Sequence, residues 1–152
     1  MMEKISLIIP CKNEVESLGA VLNEVKENQL VDEIIVVVDS EQDNSIPITQ
    51  KFNCKLIIQK SKGYGSAIVE GFKNAKNKFG CIYNADHSFD PKYLDELIKL
   101  SKNNDFIFGS RYKGSGGSDD DDIVTFIGNK IFTFITRFIL GIKLSAVSYT
   151  HL

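Results

Sequence analysis

The stretch ISLIIPCKNEVESLGAVLNEVKENQLVDEIIVVVDS, residues 5–40, decides the fold. It begins with a continuous apolar run at 5–11, which is typical of a strand buried on both faces. Residues 13–29 then place apolar side chains at helical spacing, and residues 32–40 return to a run of β-branched residues. A strand, a helix and a second strand in this order predict a parallel β-α-β unit.

The same alternation continues along the chain. Further strands are predicted at 54–59, 79–83 and 105–110, and helices at 46–52, 63–77 and 91–102. This order predicts an α/β fold with a mainly parallel, doubly wound, Rossmann-like sheet and helices on both faces.

After residue 111 the composition changes. Residues 112–122 are rich in Gly, Ser and Asp, which is typical of a flexible loop, and residues 123–144 are apolar at helical spacing. Lys130 and Arg137 interrupt the apolar run, so we expect an amphipathic helix and not a membrane span. That helix either lies in a membrane interface or covers the sheet, and the sequence leaves both open. The four aspartates at 119–122 favour a helix N-terminus more than a metal site.

These segments suggest three parts: a ligand-binding half at 1–111, a loop at 112–122, and the start of a second half at 123–152. The final residues, SAVSYTHL, do not resemble the end of a domain, so we expect the chain to be a fragment.

The net charge and the cysteine content argue against several classes of protein. The net charge of −2 over 152 residues gives no long-range attraction for nucleic acid. The three cysteines and two histidines have no metal-ligand spacing, which argues against structural zinc. We see no signal peptide and expect reduced thiols in a cytoplasmic protein, either free or at the cytoplasmic face of a membrane.

Polar residues follow each predicted strand, where an open parallel sheet binds its ligands. The candidates are Pro10, Asn13, Glu14, Asp39, Asp43, Lys60, Lys62, Gly63, Asn84, Asp86, Ser110 and Arg111. Carboxylates beside cations and free backbone N–H groups suit a diphosphate bridged by a hard metal ion. The chain has no G-x-x-x-x-G-K-[ST] and no Gly-x-Ser-x-Gly, which excludes a P-loop and a hydrolase elbow.

Five segments together resemble family 2 glycosyltransferases, and the nearest likeness is to the polyprenyl-phosphate (dolichyl-phosphate-mannose-like) branch. The segments, in order, are SLIIPCKNEVESL, EIIVVVDSEQD, KGYGSAIVEGFKNA, YNADHSFDP and GSRY. The resemblance covers roughly residues 4–145. It implies the GT-A fold and transfer of a sugar from a nucleotide-diphosphate donor, with inversion and with Mg²⁺ or Mn²⁺.

The resemblance also implies roles for particular residues. The P-x-x-N-E motif falls on Pro10, Asn13 and Glu14, beside the nucleotide base and ribose. The D-D-G-S-x-D loop falls on 38–43; Val38 replaces its first aspartate, while Asp39 and Asp43 remain as donor-binding residues. The K-G pair falls on Lys62 and Gly63.

The D-x-D metal motif falls on 84–86. Asn84 replaces its first carboxylate, so Asp86 is the main expected metal ligand and Asn84 the second. Arg111 matches the arginine of G-S-R, a phosphate contact, and Asp86 and Arg111 are the expected catalytic residues. The helix from Ile123 resembles the one with which that branch approaches the membrane.

The acceptor stays open between a lipid phosphate, which is already ionised, and a glycan hydroxyl, which needs a base. No base can be named, since the position that often reads S-D in relatives is Ser145-Ala146 here. Two other functions stay open. A truncated or degenerate relative would bind nucleotide-sugar without transfer. A sugar-phosphate nucleotidylyltransferase is disfavoured, because the first strand is followed by KNEVES and not by a glycine-rich loop.

Overall fold

A computed structural model describes residues 3–101, 103, 104, 107 and 123–140. The chain divides into two compact units, residues 1–105 and 106–152, which are described separately. The elements of the first unit are β1 (Ile5–Cys11), α1 (Leu18–Lys26), β2 (Val31–Val38), α2 (Ile46–Lys51), β3 (Lys55–Ile58), α3 (Tyr64–Lys73), β4 (Phe79–Ile82), a 3₁₀ turn (Pro91–Tyr93) and α4 (Leu94–Leu100). The second unit contains α5 (Ile123–Leu140).

The four described strands form one parallel sheet in the order β3-β2-β1-β4. The chain moves outward from β1 to β3 and then returns to the other side of β1 to form β4. The strand order therefore reverses between β1 and β4, and ligands of such sheets bind beyond the carboxyl ends of the strands at this point. The predicted parallel, doubly wound α/β class is confirmed. The predicted fifth strand, 105–110, lies outside the described residues except for Ile107.

The sheet is buried on both faces, as its apolar runs predict. Alternate residues of β1, such as Leu7 and Ile9, pack in a cluster with α1 and α4, while Ile8 packs on the opposite face with Ala67 of α3. Helix α3 lies directly against β1. A Cβ added at Gly71 would come within 2.3 Å of Ile8 Cγ2, so a residue without a Cβ is needed for this close contact. This close packing fixes α3 on the sheet and brings its N-terminus to the edge where the strands end.

Helix α1 begins at Leu18, five residues later than the predicted helix at 13–29. Asn13 has φ 57°, in the left-handed region, which a continuing helix does not allow. The backbone N–H groups of Asn13 and Glu14 donate to side chains of a second loop, so tertiary contacts outweigh the helical pattern here. The predicted helix at 91–102 begins as a 3₁₀ turn, with Asp90 accepting from the backbone N–H of Lys92. Asp90 is thus a helix cap.

Helix α5 exposes an apolar face. Among the side chains of α5 that the structure describes, six apolar ones are exposed: Ile127, Ile131, Phe134, Ile135, Phe138 and Ile139. Phe138 is the most exposed of them at 83%, whereas Thr133 on the opposite side of the helix is buried at 8%. Within the described residues, no helix is both long enough and apolar enough to cross a membrane.

Candidate functional site

The candidate site is built on the loops that leave the carboxyl ends of the strands. The pairing of Cys11 with Val38 and of Ile8 with Ile82 brings the ends of β2 and β4 to opposite sides of the end of β1. Two strand spacings separate β2 from β4, about 10 Å. The residues after all three strands therefore lie at the same edge of the sheet, where open parallel sheets form their ligand crevice.

Pro10 is buried near the end of β1, at a position where its missing N–H costs no ladder bond. The carbonyl of Ile8 accepts from the backbone N–H of Tyr83, so the backbone of residue 8 faces β4. Strand alternation turns residue 10 toward the same side, but the pairing with β4 ends at Ile82. Proline is accordingly tolerated in this central strand, beside the reversal point.

Three hydrogen bonds join the loops after β1 and β2, and a fourth lies within the loop after β2; we call these four bonds the Asn13–Asp43 interlock. Asp43 Oδ2 accepts from the N–H of Asn13 at 3.0 Å, and its Oδ1 accepts from the N–H of Ser45 at 2.8 Å. Ser45 Oγ accepts from the N–H of Glu14 at 2.9 Å, and Asn13 Oδ1 accepts from the N–H of Asn44 at 3.4 Å. Each loop therefore supplies acceptors for the other.

Asp43 is buried within the interlock, with 4% of its surface exposed. Both carboxylate oxygens accept from backbone N–H groups, so neither buried oxygen lacks a hydrogen-bond partner. Its predicted contact with a donor stays a prediction, but the contacts that the structure gives it are with the protein backbone. Asp43 thus positions Asn13 and Glu14, the residues predicted to face the nucleotide.

Asp39, at the end of β2, is half-buried and accessible from the crevice. Its Oδ2 lies 3.2 Å from Nζ of Lys12, which is largely exposed. The pair places a carboxylate and a mobile cation next to the interlock. An exposed pair of this kind contributes little to stability and leaves both groups able to exchange partners.

The loop between β3 and α3 carries Lys62 and Gly63. Gly63 precedes the helix with φ 111°, a conformation that L side chains rarely adopt. A carboxylate oxygen of Glu70 accepts from the N–H groups of Lys60 and Ser61 at 2.7 and 3.4 Å, which folds the loop back onto α3. Lys62 is exposed at the start of this helix, where backbone N–H groups favour an anion.

The loop after β4 begins buried and ends exposed. Tyr83 is 2% exposed, and its hydroxyl donates to the carbonyl of Phe89 at 2.8 Å. Burial is the largest of the effects that raise the pKa of Tyr83 well above its usual range, so it is a neutral anchor. Asp86, three residues later, is exposed, and its Oδ1 accepts from the N–H of Ser88 at 3.0 Å. His87 lies in the left-handed region with φ 60°, and its Nδ1 is 3.7 Å from Glu24 Oε1.

Asn84 is buried, and both ends of its amide are engaged. Its Oδ1 accepts from the hydroxyl of Tyr64 at 3.1 Å, and its Nδ2 donates to Ser88 Oγ at 2.9 Å. The oxygen keeps a second lone pair, so the contact with Tyr64 does not prevent ligation of a hard cation. Whether Asn84 is a metal ligand stays a prediction.

The described residues hold no group of three His, Cys, Asp or Glu side chains able to bind a metal by themselves. Magnesium characteristically takes one or two protein carboxylates and completes its shell with substrate phosphates and water. An exposed carboxylate at Asp86, two residues after Asn84, fits a cation shared with a diphosphate. Arg111, the other predicted catalytic residue, lies outside the described residues.

The sequence model of the family described as glycosyl transferase family 2 matches residues 6–151. The chain belongs to this family. The predicted resemblance is thereby confirmed, and so is the GT-A fold, since solved structures of glycosyltransferases align with this family 2 chain over most of its length. The match also argues against the nucleotidylyltransferase alternative.

Individual proteins that are similar to this family 2 chain are also named as glycosyltransferases. A dolichol-phosphate mannosyltransferase from Pyrococcus furiosus is 34% identical over 122 residues, which cover 74% of this chain and 34% of that protein. An uncharacterized glycosyltransferase from Mycobacterium bovis is 28% identical over 115 residues, which cover 75% of this chain and 51% of that one. The family 2 chain thus spans between a third and a half of the length of these relatives.

Solved structures show the same architecture. Glucosyl-3-phosphoglycerate synthase from Mycobacterium tuberculosis, in complex with Mn²⁺, UDP and glucosyl-3-phosphoglycerate, aligns with a TM-score of 0.59 at 17% identity, over 68% of this chain and 41% of that one. Mannosyl-3-phosphoglycerate synthase from Rubrobacter xylanophilus aligns with a TM-score of 0.57 at 17% identity, over 64% of this chain and 37% of that one. At this identity the likeness shows the fold alone.

Sequence reasoning missed the side chains that support the predicted ones. The side chains of Ser45, Tyr64 and Ser88 bond Glu14, Asn84 and Asn84 respectively, and of these three bonds only that of Ser88 is local in sequence. Ser45 follows Asp43 by two residues, a spacing typical of an Asx turn, so the sequence could have predicted the bond between Asp43 and the Ser45 backbone. The link from Tyr64 to Asn84 joins residues 20 apart and depends on how α3 packs on the sheet.

Proposed function

We propose that this chain is the donor-binding half of an inverting glycosyltransferase that moves a sugar from a nucleotide-diphosphate donor to a polyprenyl phosphate or a glycan. The observation that carries the proposal is the position of Asp86. This carboxylate is exposed at the end of β4, beside the reversal of strand order, in a chain of family 2. An open α/β sheet binds its ligands at this point, and a diphosphate there needs a counter-charge.

The nucleoside would lie on the β1 and β2 side of the crevice. Pro10 is buried near the end of β1, and the interlock next to it holds Asn13 and Glu14 in place. Asp39 is the accessible carboxylate that would accept from ribose or base donors after Lys12 releases it. These contacts would fix the orientation of the donor without any change in charge during the reaction.

The diphosphate would lie on the β4 side, held by Asp86, Lys62 and Arg111. The M. tuberculosis synthase was solved with Mn²⁺ and UDP and also with Mg²⁺ and UDP, which supports a divalent ion for this chain as well. Asp86 would hold that ion, with the Asn84 oxygen as second ligand. When bound, such an ion stabilises the negative charge that develops on the leaving nucleoside diphosphate. Lys62 and Arg111 would take up the remaining charge.

The acceptor determines whether a base is needed. A polyprenyl phosphate is ionised at neutral pH and attacks without one, whereas a sugar hydroxyl needs a carboxylate. The apolar face of α5 supports the lipid acceptor, because an exposed helix face of this kind binds membrane interfaces. Replacing Phe134 and Phe138 by serine should then reduce co-sedimentation with vesicles containing anionic lipid. Serine in place of Val69, an exposed apolar residue of α3, should leave co-sedimentation unchanged.

The donor site is tested by measuring UDP-sugar and GDP-sugar binding by calorimetry, with and without Mn²⁺. The chain should bind one of them at least tenfold more tightly with the cation. Asp86→Asn keeps an oxygen that accepts from Ser88 but removes the charge, so it should abolish the Mn²⁺ effect. Asp32→Asn, which removes an exposed carboxylate where β2 begins, is the matched control and should retain it. An Asp86→Asn protein that responds to Mn²⁺ as the unmodified chain does would contradict the assignment.

A second candidate, binding of nucleotide-sugar without transfer, is favoured by one observation. The first D-x-D position is Asn84, whose amide already bonds Tyr64 and Ser88. A single carboxylate gives the site one negative charge fewer than the family motif. Cation-dependent binding with no release of nucleoside diphosphate, even with polyprenyl phosphate or glycan acceptors present, would support this candidate over the enzyme.

A further inference from the structure

A chain of hydrogen bonds runs from helix α3 to the carboxylate of Asp86. The hydroxyl of Tyr64 donates to Asn84 Oδ1 at 3.1 Å, and Asn84 Nδ2 donates to Ser88 Oγ at 2.9 Å. The backbone N–H of Ser88 then donates to Asp86 Oδ1 at 3.0 Å. We call these four residues the Tyr64–Asp86 chain.

The central link of this chain is held firmly. Asn84 has only 7% of its surface exposed, and a buried amide that lacks partners is costly. Its two ends need different partners, because the oxygen accepts and the nitrogen donates. Tyr64 satisfies one end and Ser88 the other, so loss of either partner frees the amide to rotate. The orientation of Asn84 therefore depends on a residue from a different element.

The backbone next to Asp86 needs this support. His87 has φ 60°, a left-handed conformation that is unfavourable for a non-glycine residue. Such a conformation persists where the surroundings enforce it. Ser88 is bonded from both sides, by the Asn84 amide and by the Asp86 carboxylate, which closes the turn around His87.

We propose that Tyr64 is a positioning residue for the Asp86 carboxylate and acts through Asn84 and Ser88. The inference rests on the proposed function, in which Asp86 holds the cation. Tyr64 is also the first residue of α3, directly after Lys62 and Gly63. The same hydroxyl thus connects the loop expected to hold phosphate oxygens with the carboxylate expected to hold the metal. A cation bound at Asp86 and a nucleotide bound at the start of α3 would be coupled through it.

Tyr64→Phe removes the hydroxyl and keeps the ring. Tyr93→Phe is the matched control, because the two tyrosines are equally exposed, at 50% and 51%, and Tyr93 belongs to the 3₁₀ turn after the site. UDP affinity is measured for both variants with and without Mn²⁺. Tyr64→Phe should lower the Mn²⁺-supported affinity about tenfold and leave the cation-free affinity unchanged, as loss of an outer-shell partner does. Tyr93→Phe should change neither affinity.

A second readout needs no nucleotide and no metal. Amide hydrogen exchange of Ser88 reports the hydrogen bond to Asp86 directly. Exchange at Ser88 should be faster in Tyr64→Phe than in Tyr93→Phe. Ser88→Ala, which removes the acceptor of the Asn84 amide, should weaken Mn²⁺-supported binding as Tyr64→Phe does. Ser88→Thr, which keeps the hydroxyl, should restore it.

The possible outcomes distinguish a failure of the positioning role of Tyr64 from a failure of the proposed function. If the unmodified chain shows the Mn²⁺ effect and Tyr64→Phe retains it with unchanged Ser88 exchange, the positioning role is overturned and the proposed function stands. If the unmodified chain binds UDP equally with and without Mn²⁺, the metal assignment is wrong, and this inference with it. Equal loss of affinity with and without the cation would show a role in nucleotide binding and also overturn the positioning role.

Discussion

The loops on the two sides of β1 use aspartate in opposite ways. On the β2 side, Asp43 is 4% exposed, and both of its oxygens accept backbone N–H groups within the interlock. On the β4 side, Asp86 is exposed and accepts from the N–H of Ser88 through one oxygen. A carboxylate buried among backbone N–H groups builds the site, whereas one exposed beyond the end of β4 is accessible to a ligand. The β2 side is therefore the rigid side, expected to hold the nucleoside. The β4 side carries the exposed charge and is expected to hold the diphosphate.

The largest expected effect is on stability and comes from the buried aspartate. Asp43→Ala leaves the N–H groups of Asn13 and Ser45 without their acceptor and should lower the free energy of unfolding by about 3 kcal/mol. Urea denaturation measures the loss. Asp39→Ala is the control: it breaks an exposed pair with Lys12 and should cost about 1 kcal/mol or less. Equal losses in the two variants would show that the interlock is not the rigid element.

The next effect concerns Cys11, which ends β1 beside the interlock. Burial is the main effect that raises the pKa of its thiol, from 9.0 to about 11. Below pH 9 the thiol is protonated in both states and its full contribution is present. As the pH rises from about 9 to 11, the unfolded state loses its proton first, so stability should fall by roughly 2 kcal/mol. The measurement is urea unfolding at pH 8, 9, 10 and 11, compared with Cys11→Ala, whose decline should be shallower. Parallel declines would mean that the end of β1 is not shielded from solvent.

A smaller effect tests whether residue 84 lies close to the cation. Asn84→Asp restores the first carboxylate of the D-x-D motif, and an aspartate can accept from the hydroxyls of both Tyr64 and Ser88. The added charge should raise Mn²⁺ affinity about fivefold, since ligand charge sets the affinity of hard cations. Asn103→Asp, which adds the same charge to an exposed position after α4, should not. Unchanged affinity in Asn84→Asp would place this position away from the cation.

An effect of similar size distinguishes the two carboxylates Asp39 and Asp86. Asp39→Asn should weaken UDP binding about fivefold whether or not Mn²⁺ is present, because its expected contacts are hydrogen bonds to the nucleoside. Asp86→Asn should act only on the cation-dependent part. Titration calorimetry of both variants with and without Mn²⁺ gives the four affinities. A cation-dependent effect at Asp39 would remove the distinction between the two sides.

The strands and their parallel order could be predicted because each buried run carries its own signal. The apolar sequence of β1 predicts burial on both faces, and all seven of its residues are buried. The position of Asp86 at the edge of the sheet could be predicted, because it follows the end of a predicted strand. The late start of α1 could not, because residues 13–17 suit a helix by pattern, whereas the backbone of Asn13 and Glu14 is held by Asp43 and Ser45, some 30 residues away.

The roles of Asp43 and Asn84 depend on partners that local sequence does not reveal. Asp43 resembles Asp39 as a polar residue after β2, and only the fold shows that it is buried. Asn84 could be compared with a family motif, yet its bonds come from Tyr64 on another element. The exposure of the α5 stripe was likewise left open, because an apolar face at helical spacing suits either a membrane interface or a sheet.

The most direct test of the central claim locates the cation. Mn²⁺ broadens the NMR signals of nearby nuclei, so substoichiometric Mn²⁺ is added to the labelled chain with UDP. If Asp86 holds the cation, amide signals of 84–88 and 62–64 should disappear first, while those of 31–33 and 76–78, at the opposite edge of the sheet, should persist. Broadening centred on the aspartates at 119–122 or on the opposite edge would contradict a cation held by Asp86.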